Sequence, residues 1–181
     1  MWPSVTMDAA RRVGVVSYDD SAGLDAILSA AVDRARAQGL SVAGLVQRFG
    51  ERTPGGKQTM WVEDLLTGQI IRLDQPRGPG AIACTFDTDA LARAAFLLRT
   101  AADSGADVIV VSRFGSAEAE GRGLRQEIAD AVCSGAAVLI PVRVSLLPAL
   151  EIFLGGPATL LSASASAIAD WAATMTSVLT P

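Results

Sequence analysis

The chain has no histidine and only one lysine, Lys57, among its 181 residues. Without histidine there is no Ser-His-Asp triad, no Cys-His pair and no histidine-ligated metal site. The two cysteines, Cys84 and Cys133, are too few for a zinc site or a disulfide framework. Cys84 falls in a predicted loop, where a reactive thiol and a merely structural cysteine both stay open. Arginines, carboxylates and backbone groups therefore remain to carry any chemistry.

Long apolar runs are also missing. No run approaches the ~20 residues that a membrane-spanning helix needs, and the first residues lack a basic segment followed by an apolar one. We therefore predict a cytoplasmic protein without membrane insertion, whose residues Met1–Ala10 form a flexible leader. The net charge of −4 argues against general binding to nucleic acid. The strong preference for arginine over lysine reflects either codon usage or a need for guanidinium groups that hold oxyanions.

Short apolar strands alternate with helical patterns along the whole chain. Strands are predicted at Arg12–Ser17, Ser41–Gln47, Asp107–Ser112, Ala137–Val142 and Ala158–Leu161, and helices at Leu24–Gln38, Asp87–Ser104, Leu146–Phe153 and Ala165–Leu179. Arg48–Gln58 and Asp74–Ala83 are predicted loops, and Thr59–Leu65 with Gln69–Leu73 a β-hairpin. This order predicts one α/β domain over residues 1–181, with three layers and a mostly parallel sheet flanked by helices.

Ligands in such folds bind beyond the carboxyl ends of the strands. Tyr18–Gly23, Gln47-Arg48 and Arg113–Gly123 should converge there. The first of these occupies the place of a Walker A loop, G-x-x-x-x-G-K-[ST]. Gly23 matches the second glycine, but Tyr18, Leu24 and Asp25 replace the first glycine, the lysine and the hydroxyl residue.

The first loop offers backbone N–H groups and the positive end of a helix to an anion. Asp19 and Asp20 would repel a phosphate, but they are suited to a cation or to hydroxyl groups of a ligand. Helix capping by Asp20 or Ser21 is the structural alternative. The candidate ligand-binding residues of this loop are Tyr18, Asp19, Asp20, Ser21, Ala22 and Gly23.

The loop Arg113–Gly123 is the second candidate, because it directly follows the most hydrophobic strand. Arg113 and Arg122 are predicted to clamp an oxyanion, beside Gly115, and Glu118 or Glu120 to act as a base or cation ligand. Together with Asp19 and Asp20, Glu118 forms the candidate metal set. The structural alternative is an Arg–Glu network that stiffens the loop. Gln47 and Arg48 end the second strand at the same edge, where Arg48 together with Arg113 is predicted to form a positive wall that faces the acidic first loop.

Two other motifs are rejected. Gly55-Gly56-Lys57-Gln58-Thr59 resembles the end of a Walker loop, but its glycine spacing is wrong and a strand follows it. Glu63 and Asp64 are neighbours on a strand, so their side chains point to opposite faces and cannot form an acid/base pair. We expect both to be surface residues.

The order of elements resembles small archaeal and bacterial P-loop nucleoside-triphosphatases, over most of residues 12–142. Gly44–Arg48 looks like their second strand, Val62–Gly68 like their hairpin, and Gly115 with Glu118 like a conserved glycine and glutamate of that family. The resemblance implies a P-loop NTPase-like fold with a hairpin insertion. Leu24, Asp25 and Ser112-Arg113 replace the residues that bind triphosphate and Mg²⁺, so we expect no ordinary NTPase activity.

A closer resemblance is to an uncharacterised bacterial family of similar length, often associated with molybdenum-transport genes. Its shared motifs are present here as Tyr18-Asp19-Asp20, Leu45–Arg48, Asp64–Gly68 and Arg113–Gly121. This resemblance implies a link to molybdate or to handling of the molybdenum cofactor.

Three functions therefore stay open. The first is a non-hydrolytic protein that binds a small anion, such as molybdate or another oxyanion, in preference to a nucleotide. It would act alone, as a homo-oligomer, or with a protein of a transport or cofactor pathway. The second is a Mg²⁺-dependent hydrolase or transferase that acts on nucleotides. The third is a regulatory or scaffold subunit whose contacts lie near Phe49, Trp61 and Phe86, with Trp2 and Trp171 serving packing or dimer contacts.

Overall fold

A computed structural model of the chain describes residues 6–52, 58–74 and 87–177, without the side chains of residues 51, 52 and 58. The chain starts with a helical turn, α1 (Met7–Ala10), capped by the Thr6 hydroxyl, which accepts the N–H of Ala9. Ala9 and Ala10 pack against the core. Met7–Ala10, the last residues of the predicted leader, thus form a helical turn in which the two alanines cover an apolar surface of the domain.

Seven strands form one sheet within the described residues, in the order β4-β3-β2-β5-β6-β1-β7. Five of them run parallel: β1 (Val13–Tyr18), β2 (Val42–Arg52), β5 (Val108–Val110), β6 (Ala137–Arg143) and β7 (Thr159–Leu160). The strands β3 (Gln58–Asp64) and β4 (Ile70–Arg72) extend the sheet beyond β2 as antiparallel neighbours. The predicted mostly parallel α/β sheet with a hairpin insertion is confirmed, and the fold is P-loop NTPase-like.

Helices cover both faces of the sheet. On one face α2 (Leu24–Ala37) packs with α7 (Ala165–Ser177) over a core that contains Leu28, Val46 and Trp171. The other face is covered by α3 (Thr88–Asp103), α5 (Arg125–Cys133) and α6 (Leu147–Leu154), over a larger core that includes Leu45. A further short helix, α4 (Ser116–Ala119), lies in the loop after β5. The three layers follow from strands that are apolar on both faces.

Local signals explain the ends of two helices. Asp87 caps α3, because its carboxylate accepts the N–H groups of Asp89 and Ala90 at 2.9 and 3.2 Å. The helix α2 ends just before Gly39, whose φ of +87° is the left-handed conformation typical of a residue after a helix. Both ends were predicted from the sequence.

The indole of Trp171 is buried in the core of the domain, and Trp171 is only 8% exposed.

The region after Gln47 differs from its prediction. Arg48–Gln58 was expected to be a loop, but β2 continues to Arg52 and pairs with β3 in a second hairpin. The glycines of this segment suggested a loop, and cross-strand pairing outweighs that local preference. The predicted turn at Leu66–Gly68 between β3 and β4 is confirmed.

Several predictions fall outside the described residues. They concern most of the Asp74–Ala83 loop, Cys84, Phe86, Trp2 and the glycines and lysine of Gly55–Lys57. Phe49 and Trp61, named as contacts of a scaffold, are half-buried. In the part of the chain that the structure describes, no helix combines the length and the apolar character that a bilayer crossing requires.

Candidate anion site

The carboxyl ends of the parallel strands bring two of the predicted loops together, as expected. The loop after β1 leads to α2 on one face of the sheet, and the loop after β5 leads to α5 on the opposite face. Tyr18, Ser21, Gln47 and Arg113 share one crevice at this edge. Loops that diverge to opposite faces open the kind of crevice in which α/β proteins bind ligands.

The space on the α2 side of this edge is very small. This α2 crevice is lined by Tyr18, Ser21, Leu24, Asp25, Leu28, Gln47, Phe49, Ser112, Arg113 and Pro141, and its volume is about 10 Å³. A cavity of ~10–15 Å³ holds a single water molecule. The enclosed part of the α2 crevice is therefore about the size of one water molecule.

The first loop is held by its own backbone. Gly23 caps α2 with a φ of +76° and without a side-chain hydrogen bond. Asp20 accepts the N–H of Ala22 at 3.0 Å, so it stabilises a turn ahead of the helix. The structural alternative, in which Asp20 or Ser21 caps the helix, does not describe α2, because the left-handed turn at Gly23 places both residues before the helix start.

An arginine that the sequence analysis did not select also lies at this loop. Arg143 ends β6 opposite Tyr18, and its guanidinium carbon lies 5.8 Å from the centre of the tyrosine ring. It also donates to the carbonyl oxygen of Asp19 at 3.3 Å. Ligands in α/β folds bind beyond the carboxyl ends of the parallel strands, and Arg143 lies at that end of β6. The rule that selected residues at the ends of β1, β2 and β5 would therefore have selected Arg143 as well.

Arg48 does not form one positive wall with Arg113, which corrects the prediction. Successive strand residues point to opposite faces, and Arg48 lies on the face of α2. Its Nε and Nη2 donate to Glu63 Oε2 at 2.9 and 2.5 Å, and its Nη1 donates to the hydroxyl of Ser29 and to the carbonyl of Asp25. All three guanidinium nitrogens are engaged, so Arg48 ties the hairpin to α2.

Gln47 points to the other face, the side of Ala43 and Leu45, where α3 and α5 pack. It is only 6% exposed. Its Nε2 is buried and has no hydrogen-bond partner among the described residues. An unpaired buried donor costs about 1–3 kcal/mol, and such a group in a native protein calls for an explanation.

Arg113 points to the same side. Its Nη2 lies 3.7 Å from the sulfur of Met60, which packs against the core beneath α3. Over residues 6–52, 58–74 and 87–177 it has no ion pair, whereas Arg48, Arg72, Arg99 and Arg122 each pair with a carboxylate. Arg113 is thus a half-buried cation whose charge no described carboxylate balances.

A larger cavity opens between the loop after β5 and α3. This α3 cavity has a volume of about 120 Å³ and is lined by Gln47, Leu73, Leu91, Ser112, Arg113, Gly115, Ser116, Ala117, Glu118, Gly123 and Leu124. It shares Gln47, Ser112 and Arg113 with the α2 crevice. These three residues form the partition between the two spaces.

Glu118 holds the loop that borders the α3 cavity. One carboxylate oxygen accepts the N–H of Gly115 and the other accepts the N–H of Leu124, both at 2.9 Å. A Cβ on Gly123, whose φ is +63°, would overlap Oε1 of this carboxylate. Glu118 is 9% exposed, and its geometry is that of a loop brace.

Arg122 was predicted to clamp a ligand together with Arg113. It is exposed and pairs with Glu120 two residues earlier, and it lines neither the α2 crevice nor the α3 cavity. The structural alternative of an Arg–Glu pair therefore describes Arg122, but not Arg113. Gly121 and Gly123, both with left-handed φ, turn the chain on either side of Arg122.

The candidate metal ligands Asp19, Asp20 and Glu118 are not brought together. Asp19 and Asp20 are exposed on the first loop, and Glu118 braces the loop after β5. Of the residues whose positions are described, no three acidic or cysteine side chains lie close enough to hold a metal ion.

Two further carboxylates have structural roles. Asp64 is 1% exposed and accepts the N–H and the hydroxyl of Thr67, so the prediction of a surface residue is wrong. Its position just before the turn from β3 to β4 makes it the brace of that turn. Asp74 follows Leu73 at the cavity, and hydrogen bonds from Arg72 hold the pKa of its carboxyl below the usual value.

Comparison with known proteins gives a family and one informative relative. The model of a family described as "Protein of unknown function (DUF2478)" matches residues 13–171. The molybdenum import ATP-binding protein ModC 2 of Bradyrhizobium diazoefficiens is 37% identical over 161 residues, which are 88% of this chain and 18% of that protein. The chain thus spans about a fifth of the length of this curated relative. No solved structure matches the chain.

Proposed function

The chain belongs to this DUF2478 family of unknown function, and within it we propose that the protein binds a small anion at the carboxyl edge of its sheet without hydrolysing it. The observation that carries the proposal is that the unpartnered Gln47 Nε2 and the guanidinium of Arg113, which forms no ion pair among the described residues, border one cavity. An unpartnered amide donor beside an unbalanced positive charge favours an acceptor-rich, negatively charged ligand.

The residues that replace the Walker motifs support a role without hydrolysis. Leu24 stands where a phosphate-binding lysine would be, and Ser112-Arg113 stand at the position of the acidic pair that serves Mg²⁺. Phosphoryl transfer depends on such charge neutralisation.

The similarity to a molybdenum import ATP-binding protein supports a place for this anion in molybdenum handling. Molybdate is a tetrahedral oxyanion, and a planar guanidinium with an amide N–H beside it suits the oxygen atoms of such a group. We propose molybdate, or a related oxyanion, as the ligand. A protein of the same transport or cofactor pathway is then the proposed partner.

Isothermal titration calorimetry with sodium molybdate, tungstate, sulfate and ATP tests the proposal. We expect an oxyanion to bind the wild-type protein, and Arg113→Ala to weaken that binding by about 10- to 100-fold, since a hydrogen bond to a charged group contributes about 1.5–3 kcal/mol. Arg93→Ala removes the same charge from an exposed position on α3 and serves as the matched control. Absence of binding by all four compounds at millimolar concentration would refute the proposal.

Gln47→Leu separates binding from stability. The substitution removes a buried donor that lacks a partner while keeping the side-chain volume similar. We expect it to leave the free energy of unfolding unchanged or raise it by about 1 kcal/mol, while anion affinity falls. A loss of stability without a loss of affinity would assign Gln47 to packing alone.

A further inference from the structure

Resting on the proposed function, we infer that the anion lies in the α3 cavity, on the opposite side of the sheet from the loop that corresponds to the Walker A loop. The ligand class is a tetrahedral oxyanion and not a nucleotide. Gln47, Ser112 and Arg113 border both the α2 crevice and the α3 cavity. The choice between these two spaces therefore depends on the direction in which the donors point and on the volume of each space.

The direction of the donors favours the α3 cavity. Gln47 shares its face of β2 with Ala43 and Leu45, which pack beneath α3, and its unpartnered Nε2 is buried on that side. Arg113 reaches the sulfur of Met60, which packs on the same core. On the α2 side, by contrast, the donors of Arg48 are taken by Glu63, Ser29 and Asp25.

The volumes of the two spaces also favour the α3 cavity. The α2 crevice holds about 10 Å³ and the α3 cavity about 120 Å³. A cavity of ~150 Å³ takes a molecule the size of benzene, and one of ~10–15 Å³ takes one water. Sites for larger organic ligands have volumes of about 300–1,000 Å³. The α3 cavity therefore fits a four-oxygen anion and is too small for a nucleotide.

The carboxylates at the two spaces also differ. Glu118 borders the α3 cavity, but both of its oxygens accept backbone N–H groups, which offset part of its charge. Asp25 borders the α2 crevice, with exposed Asp19 and Asp20 on the same loop. Three carboxylates on one short segment oppose an anion more strongly than one that is braced by two donors.

A pair of tryptophan substitutions tests the location. Leu91→Trp places an indole in the α3 cavity, and Tyr18→Trp enlarges a ring that belongs to the core on the α2 side and lines the α2 crevice but not the α3 cavity. Calorimetry with molybdate and sulfate should give at least a 10-fold loss of affinity for Leu91→Trp and less than a 2-fold change for Tyr18→Trp. Ala117→Leu fills the α3 cavity from α4 and should repeat the loss, and urea unfolding identifies any variant that has lost its fold.

The outcomes distinguish this inference from the proposed function. If the wild-type protein binds an oxyanion and Tyr18→Trp alone weakens it, or if ATP binds as tightly as molybdate, the location and ligand class are refuted while anion binding stands. If the wild-type protein binds no anion, the proposed function is refuted and the inference with it. Equal effects of Leu91→Trp and Tyr18→Trp would also overturn the location.

Discussion

The α2 and α3 sides of the carboxyl edge use the same kinds of residue in different ways. On the α2 side, Arg48 is fully bonded and the space left is about one water in size. On the α3 side, Arg113 and the buried amide of Gln47 face a cavity about twelve times larger, with no described carboxylate paired to either. An arginine whose nitrogens are all bonded to carboxylate, hydroxyl and carbonyl oxygens holds elements together, whereas one without an ion pair, beside free space, is suited to an anionic ligand.

The contrast has its origin in the alternation of side chains along β2. Gln47 and Arg48 are adjacent in the chain, yet the pleat sends them to opposite faces. One face of the strand brings Glu63 and Ser29 within reach of a guanidinium. The opposite face meets the loop after β5, which Glu118 braces by accepting the N–H groups of Gly115 and Leu124. The braced loop borders the α3 cavity.

Of the substitutions at the two sides of the carboxyl edge, Glu118→Ala has the largest expected effect on the free energy of unfolding. The substitution leaves the N–H groups of Gly115 and Leu124 without their acceptor, and each such loss costs about 1–3 kcal/mol. We expect the free energy of unfolding in urea to fall by about 3 kcal/mol, and anion affinity to fall as the loop loses its brace.

Glu118→Gln is the matched control, since its amide keeps one acceptor oxygen. About half of the stability loss should remain. If Glu118→Ala were as stable as the wild-type protein, the carboxylate would not be the brace that separates the α3 side from the α2 side.

Substitution of one glycine in the loop after β1 and of one in the loop after β5 gives the next largest expected loss of unfolding free energy. Gly23 and Gly123 both have positive φ, which costs a non-glycine residue about 1–3 kcal/mol. A Cβ on Gly23 meets open space, whereas one on Gly123 overlaps Glu118 Oε1. We expect Gly23→Ala to cost about 1 kcal/mol and Gly123→Ala at least twice as much, measured by urea unfolding. Equal costs would contradict the different packing of the two loops.

Arg48→Ala has the smallest expected effect on the free energy of unfolding. Its partner Glu63 is partly exposed, and ion pairs of this kind contribute about 0.2–1 kcal/mol. The added bonds to Ser29 and Asp25 raise the expected loss to about 1 kcal/mol in unfolding measurements. Anion affinity should change by less than 2-fold in calorimetry, although an arginine next to Gln47 has been removed. A 10-fold loss of affinity would place the ligand on the α2 side.

The sequence by itself determined the order of elements, most of their boundaries and the edge of the sheet where candidate residues gather. Local signals suffice for these features, such as the Asp87 cap, Gly39 and the apolar strands. Local signals led to wrong predictions where contacts with another segment determine the structure. The continuation of β2 to Arg52 and the burial of Asp64 are the two examples.

Only the tertiary structure decided which of the candidate side chains are free. Arg48, Arg113 and Arg122 look equivalent as sequence letters, but Glu63 binds the first and Glu120 the third. Glu118, predicted as a base or a metal ligand, accepts two backbone N–H groups. The partners of a side chain and the space beside it depend on residues far away in the chain. For that reason the first loop attracts attention in the sequence, while the unpaired donors and the free space lie across the sheet.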